Sequence, residues 1–584
     1  MEFNIIPRIR LLTIVGVMLT GLASCVKIDE SLGSNFIPTD QIWDVFACKA
    51  EPLGDAITME RSDSLSGYST SRFTFGSVKS DGFSCNKGTS FTLVPLSDSL
   101  DFGTDIENIR FRFTAAKDTI STPYESQKRI FQNVRVSALK APLDSAVLYS
   151  GSFLSQENIE KFLDLENRIT VGVPVYDGGD SLTFDFTEEY AKKVIAGIQA
   201  FQQLDSKSRD SLSHYIEKVP GIYIETDPQT EEGGRINMFS LPLKAESGYI
   251  LGNYAELSFR ARYDYSEEKV DTSFIFYFGP SRFLKDEDTS YPAQFAFNAS
   301  ANKADDPDFL ENWKAGIKDK LYVEGGSGLK PVVKAWELKQ IIESIITDKG
   351  KDPRSAIINK ATIVLPYDVN GAYDKLDYYP VILSPTVKLR SDDNKYVTYA
   401  GLTDSSIESE NQGNIDRSRF IYCPDISHHV QEILKLQQGK GENVNGDETE
   451  AEFRERVRKY DIWFLIMHEE TVESSSGNNY NEDYYNSLLY NSYYNNMMYD
   501  PYGYGYGYGY GGYGGYGYNN YYNYYMMAAY ANAASSGTTT SSSIELDQER
   551  FYNAILNGPG YGSEEDTDKK PRLKITFSAP KNVE

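Results

Sequence analysis

Alternation of apolar and polar residues with a period of two constrains this chain more than any other feature. In Ala255-Glu256-Leu257-Ser258-Phe259-Arg260-Ala261-Arg262-Tyr263 every odd position is apolar and every even position polar. This is the pattern of a strand with one buried face. The same period recurs at Ile109 to Phe113, Val134 to Leu139, Thr170 to Val175, Ser273 to Phe278 and Leu573 to Phe577, with turn residues between.

Helices are few. Thr187 caps one, with Glu188 and Glu189 in its first turn and Tyr190, Val194, Ile198 and Phe201 on one face. Asp425 or Ser427 starts a second, with Val430, Ile433 and Leu434 on its face, and Trp336 to Ile346 gives a third.

The order of elements repeats. Ile106 to Phe113 parallels Ile358 to Leu365, and each is followed by a second strand, at Val134 and at Pro380. Phe184-Asp185-Phe186-Thr187 with its helix parallels Pro424-Asp425-Ile426-Ser427 with its helix. Gly221 to Ile224 parallels Asp461 to Phe464, and the last strands are Ala255 to Tyr263 and Leu573 to Phe577. The expected fold is mostly β: two tandem antiparallel β-sandwich, jelly-roll-like domains with a few short helices. The expected divisions are 1–24 for a signal segment, 25–50 for a tether, 51–270 for the first sandwich and 271–584 for the second.

The N-terminus carries an address. Arg8 and Arg10 precede a short apolar run, Leu11 to Leu22, too short to span a bilayer. It ends in Leu22-Ala23-Ser24-Cys25, which resembles a bacterial lipobox. The resemblance implies cleavage before Cys25, lipidation of its thiol and acylation of the new amine. Two or three acyl chains anchor stably where one is marginal. Val26-Lys27-Ile28-Asp29-Glu30 resembles a weak form of the acidic signal that sends Bacteroidota lipoproteins to the outer face of the outer membrane.

Three cysteines remain beyond Cys25, and an odd number cannot all pair. Cys48 and Cys85 are the candidates for one disulfide in an oxidising compartment, which leaves Cys423 as a buried free thiol. Six tripeptides, at Asp63, Asp98, Asp118, Asp144, Asp180 and Asp210, read Asp-Ser/Thr-Ala/Ile/Leu. They resemble an O-glycosylation sequon of exported Bacteroidota proteins, and equally suit turns that lead into strands.

Lys+Arg is 58 against 84 Asp+Glu, a net charge of −26, which repels phosphate backbones and argues against nucleic acid. Only 4 histidines leave little material for a histidine-based site. His428 and His429 are adjacent and point about 100° apart on a helix, so they do not share a metal. Gly325-Gly326-Ser327-Gly328 lacks the Lys-Ser/Thr of a phosphate loop and reads as a turn. Asp305-Asp306-Pro307-Asp308 lacks the glycine and closing glutamate of an EF-hand loop and reads as a solvated acidic turn. No catalytic residue, cofactor or metal site is expected.

Ile358 to Leu365, Asp425 to Leu434 and Pro571 to Phe577 together resemble a jelly roll of the carbohydrate-binding-module type. With Leu32-Gly33-Ser34-Asn35-Phe36-Ile37-Pro38, Phe75-Gly76-Ser77-Val78 and Leu321 to Gly328, the set resembles the DUF4270 family of Bacteroidota lipoproteins. That resemblance implies fold and location and carries no functional residue. Residues 474–543 depart from it as a low-complexity insert. Tyr480 to Tyr530 holds 20 tyrosines, nine glycines and no Lys or Arg, a composition that builds no core of its own.

The expected function is a lipid-anchored, cell-surface, non-catalytic scaffold or accessory subunit of an outer-membrane protein assembly. The alternative is a glycan-binding lipoprotein, which needs two or three aromatics along one sheet face. The expected partners are accordingly the outer membrane, integral outer-membrane proteins or glycans.

Overall fold

The computed structural model describes residues 43–581 apart from 63–66, 70, 97–99, 144–159, 210–211, 247–248, 280–295, 370–372, 391–396, 405–412, 442–443, 445, 475–538 and 548. Cys25 lies outside the described residues, as does nearly all of the Tyr-rich insert.

The chain enters on β1 (Trp43–Ala47) and β2 (Ile57–Arg61), and both join the second unit rather than the first. The first unit contains β3 (Arg72–Ser80), β4 (Phe83–Pro95), β5 (Thr104–Ser121), β6 (Gln132–Leu139) and β7 (Ser181–Phe186). After α1 (Glu188–Gln202) come β8 (Ile222–Thr226), β9 (Gly233–Ser240), β10 (Tyr254–Arg262), β11 (Val270–Gly279) and β12 (Ala296–Asn302).

All these pairings are antiparallel. Strands β4 and β5 are long enough to serve two sheets. β4 pairs with β3 near its start and with β11 at Thr92–Pro95; β5 pairs with β10 along its first half and with β9 near its end. The order β4-β11-β10-β5-β9-β3 therefore closes back on β4. None of these six strands is therefore left at an edge, and they wrap around one core.

That core is built on phenylalanine. Phe113 stacks on Phe184 and Phe278 at centroid distances of 4.7 Å each, and the ring of Phe73 lies 5.1 Å from those of Phe91 and Phe239. Ala255, Leu257, Phe259, Ala261 and Tyr263 are all buried, as their alternation requires. Thr187 starts α1 by accepting the Tyr190 N–H, and Tyr190, Val194, Ile198 and Phe201 are buried against the sheet.

The second unit contains α2 (Pro307–Ala315), β13 (Lys320–Glu324), β14 (Leu329–Val333), α3 (Ala335–Asp348), β15 (Ile357–Pro366), β16 (Ile382–Arg390), β17 (Val397–Gly401) and β18 (Ile421–Tyr422). It ends with α4 (Ser427–Lys435), β19 (Ile462–Ser474), β20 (Thr539–Leu546), β21 (Asn553–Asn557) and β22 (Arg572–Pro580). One sheet runs β1-β22-β15-β18, the other β17-β16-β19-β14-β2. Leu573, Ile575 and Phe577 from the first and Val333, Leu383 and Phe464 from the second share one core. The architecture is mostly β, antiparallel and sandwich-like.

The repeated order is visible in the pairing. β5 pairs with β10 as β15 pairs with β22, and β6 pairs with β8 as β16 pairs with β19. β7 leads into α1 beside β5, and Asp425–Ile426 leads into α4 beside β15.

Two expectations change. The division at 270/271 does not follow the pairing: β11 and β12 bond to β4 of the first unit, while β1 and β2, upstream of or inside the expected first sandwich, belong to the second. Period-two patterns identify a strand but not its partner. Thr170 to Val175 is also not a strand: only Thr170 bridges Phe186, and a short strand begins at Val175. Gly172 has φ +73° and Pro174 offers no N–H, and Val171, Val173 and Val175 are exposed.

The flanks of the insert form a hairpin stem, with Ser474 directly opposite Thr539. That register accepts a two-residue turn. Replacing 475–538 by Asn-Gly is expected to leave the thermal midpoint unchanged or raised. Shortening the loop to two residues removes about 3 kcal/mol of closure entropy over five halvings. A lowered midpoint would mean that the tyrosines pack on the body.

Candidate functional site at the junction of the two units

A buried cation and a buried carboxylate meet in the segment Glu324-Gly325-Gly326-Ser327-Gly328-Leu329-Lys330, which turns from β13 into β14. Lys330 is 1% exposed. Its ammonium donates to the carbonyls of Glu324, Gly326 (3.1 Å) and Gly328 (3.4 Å), which matches its three protons to three acceptors. Burial pushes its pKa well below the usual lysine range, opposed by the charge of Glu324.

The Glu324 carboxylate accepts the N–H groups of Lys303 and Leu329, each at 3.1 Å. Ser62 donates to the carbonyls of Gly326 and Gly328, and Ser327 meets Ser300 at 3.2 Å between hydroxyl oxygens. The glycines are needed. Gly326 has φ +56°, and a Cβ on Gly328 would lie 2.4 Å from that of Glu324.

Ser300, on β12, brings the first unit to this turn. The contact continues at 547–555. Asp547 accepts the N–H groups of Glu549 and Arg550 and pairs with Arg550 at 2.8 Å. Arg72 on β3 reaches both Asp118 and Glu549. Ser121 at the end of β5 accepts the Phe551 N–H at 2.9 Å. Val78, Phe83, Cys85, Ile236 and Phe551 form a small apolar cluster beside these polar links. Chemically the arrangement is a strut: its donors and acceptors meet inside the protein and hold two sheets together.

The expected site residues fall elsewhere. Cys48 and Cys85 are free thiols in different cores: Cys48 follows β1 beside β22, and Cys85 is buried on β4. The candidate bridge between them is therefore corrected, since the two strands belong to different sheets. Burial raises the Cys85 thiol to about 11. Cys423 is partly exposed rather than buried. Of the six tripeptides, Asp118-Thr119-Ile120 and Asp180-Ser181-Leu182 lie wholly within the described residues, and Ser181 is exposed at the start of β7.

Asp306 caps α2 through the Asp308 N–H, with Pro307 in the first turn, while Asp305 pairs with Arg61 at 2.6 Å. The acidic run is thus a helix start. Among the described residues, no group of three His, Cys, Asp or Glu is arranged to hold a metal.

α4 is capped from a distance. Asp404 accepts the N–H groups of His428 (2.7 Å) and His429 (3.1 Å), and Asp425 accepts that of Ser427. At the other end, buried Lys339 from α3 donates to the carbonyls of Ile433 and Leu434. His429 is buried and meets the Tyr460 carbonyl at 2.8 Å, which fixes its Nε2 as the donor.

Burial depresses the His429 pKa to about 3, with His428 adding repulsion and Glu432 opposing both. The unfolded imidazole titrates near 6.5. The folded pKa is the lower one, so this stability is present above about 6.5 and is lost as pH falls toward 3. At pH 4 the loss is about 3 kcal/mol. His429→Gln, which retains a donor, is expected to flatten the decline of melting temperature between pH 6.5 and 4. An unchanged acid slope would refute a buried neutral imidazole.

Sequence reasoning missed the buried cations. Lys330 interrupts an otherwise apolar run, Leu329-Lys330-Pro331-Val332-Val333, directly after a glycine-rich turn. Arg235 on β9 is fully buried and donates to Asn237 and to the carbonyls of Tyr176, Gln127 and Ile130. A charge within an otherwise apolar strand is the local signal of Lys330, whereas Arg235 shares its strand with Asn237 and Ser240 and has no such signal.

Comparison with protein-family models, curated proteins and solved structures finds no match to this chain.

Proposed function

We propose that the protein is a surface-exposed outer-membrane lipoprotein of the DUF4270 type, anchored through Cys25, and that it acts as a non-catalytic scaffold or accessory subunit of an outer-membrane protein assembly. One observation carries the reading. β1, the first strand among the described residues and 18 positions after Cys25, is hydrogen-bonded along its length to β22, the last described strand. A pull on the tether is thereby shared across a sheet instead of peeling a free terminus. The strut at Lys330 supports the same reading, because it links the two units that such a body presents.

The glycan-binding alternative needs aromatics aligned on one face. Exposed Trp43, Phe131, Tyr265 and Tyr373 lie on separate segments, which favours the scaffold. Affinity purification of the tagged protein from detergent-solubilised outer membranes tests the choice. Co-purification of integral barrel proteins is the expected result. Retention of polysaccharide without a protein partner would favour the alternative and overturn the scaffold.

A further inference from the structure

The outer face of the β1-β22-β15 sheet carries a feature at odds with the chain's composition. Register fixes which residues share that face. Leu573, Ile575 and Phe577 point into the core, so Lys574, Thr576, Ser578 and Pro580 point out. Opposite them on β1, Ala47 faces Thr576, Val45 faces Ser578 and Trp43 faces Pro580. On β15, Thr362 faces Lys574, Lys360 faces Thr576 and Ile357 faces Ser578. Directly opposed residues of an antiparallel pair share a face, so all of these lie together.

The face has two halves. At the end where β1 begins, Trp43 is 41%, Val45 67% and Ile357 49% exposed. At the other end Lys360 and Lys574 are exposed over a hollow of about 340 Å³, whose lining includes Thr362, Thr576 and Cys48. In a chain of net charge −26, neither lysine forms an ion pair among the described residues, nor does the neighbouring Lys49.

We propose that this face is where the body rests on an anionic lipid surface. The proposal rests on the lipid-anchor reading for its geometry. The tether, residues 26–42, delivers the chain to Trp43 at the apolar end of the face and reaches at most about 60 Å. A tryptophan beside aliphatic residues suits the headgroup boundary, where an aromatic ring has both an apolar and a polar neighbour. Unpaired lysines suit the phosphates next to it. The lysine hollow takes a phosphate-bearing headgroup between two ammonium groups and two threonine hydroxyls. The acidic remainder of the body is repelled by the same surface, so one orientation is selected.

The test uses the full chain carrying Cys25→Ser, which has no lipid of its own, in flotation with vesicles. Binding is expected to vesicles of phosphatidylcholine with 30% phosphatidylglycerol and to be at least tenfold weaker to phosphatidylcholine alone. Each lysine near such a surface contributes about fivefold, so Lys360→Glu with Lys574→Glu is expected to weaken binding at least about 30-fold. Trp43→Ser with Val45→Ser is expected to weaken it about tenfold. All four positions are exposed, and an unchanged melting temperature confirms folding.

Absence of binding to any vesicle, or equal binding by the variants, would overturn the proposal. Displacement by millimolar inorganic phosphate at constant ionic strength would reassign the hollow to a free anion. A dimer in solution that the Trp43 variant dissociates would assign the face to a second copy of this chain. Mass spectrometry of the wild-type N-terminal peptide reports acylation separately, so failure of the anchor and failure of the face are distinguishable.

Discussion

Phe577→Ala is expected to destabilise the second unit by about 3–5 kcal/mol, the range for truncating a buried aromatic. Phe577 is fully buried in the middle of β22, and its ring stacks on Phe46 of β1 at 5.0 Å. Truncation opens a cavity between the first and last strands of the described residues, each of which holds the other. Lys574→Ala, three positions away on the outer face, is expected to cost less than about 0.5 kcal/mol. The measurement is made on the intact chain. All 4 tryptophans, Trp43, Trp313, Trp336 and Trp463, belong to elements of the second unit, so their fluorescence follows that unit in urea. Equal, small effects at the two positions would show that β22 does not close the sandwich.

Lys330→Met is expected to cost about 3–5 kcal/mol as well, for a different reason. Methionine fills a similar volume, so little cavity opens. What is lost is the donor to three buried carbonyls and the positive charge that offsets the nearby Glu324 carboxylate, and removing one side of a buried polar cluster leaves the other side uncompensated. Glu324 keeps two backbone N–H donors, which limits the damage to the lower part of that range. Replacing Glu324 by Gln in the same chain is expected to recover part of the loss, because the remaining carboxylate charge is then gone. Tryptophan fluorescence in urea gives both numbers. A loss below about 1 kcal/mol for Lys330→Met would mean that the ammonium contributes no net stability at this site.

Much of the fold was legible because a half-buried strand writes its environment into every second residue. Ala255 to Tyr263 and Leu573 to Phe577 are the clearest cases, and α1 was legible from Thr187 and the spacing of Tyr190, Val194, Ile198 and Phe201. The order of pairing could be read only by matching the two halves of the chain to each other. What local pattern could not convey was long-range partnership. Trp43–Ala47 pairs with residues at the far end of the sequence, and nothing within its five residues says so. Thr170 to Val175 shows the converse, an apolar alternation that stays exposed because glycine and proline prevent a ladder.

The junction was less legible than the fold. Gly325 to Gly328 read as a turn, and it is one. Its use as a cradle for Lys330 depends on Ser62 and on Ser300, through Ser327, both remote in sequence. Arg235 likewise owes its burial to carbonyls of Gln127, Ile130 and Tyr176, which β6 and its flanks bring to β9. A cation's burial is set by such acceptors, and they are invisible until the strands are paired.

The central claim, a folded body held to the membrane through Cys25, is tested most directly by fractionating cells that express Cys25→Ser. Washing membranes at about 0.5 M salt screens peripheral attraction and leaves an acyl anchor in place. Wild-type protein is expected to stay in the washed membranes until detergent is added, and the Cys25→Ser protein to appear in the salt wash or the soluble fraction. Cys25→Ser protein that resists the wash as the wild type does would contradict the account.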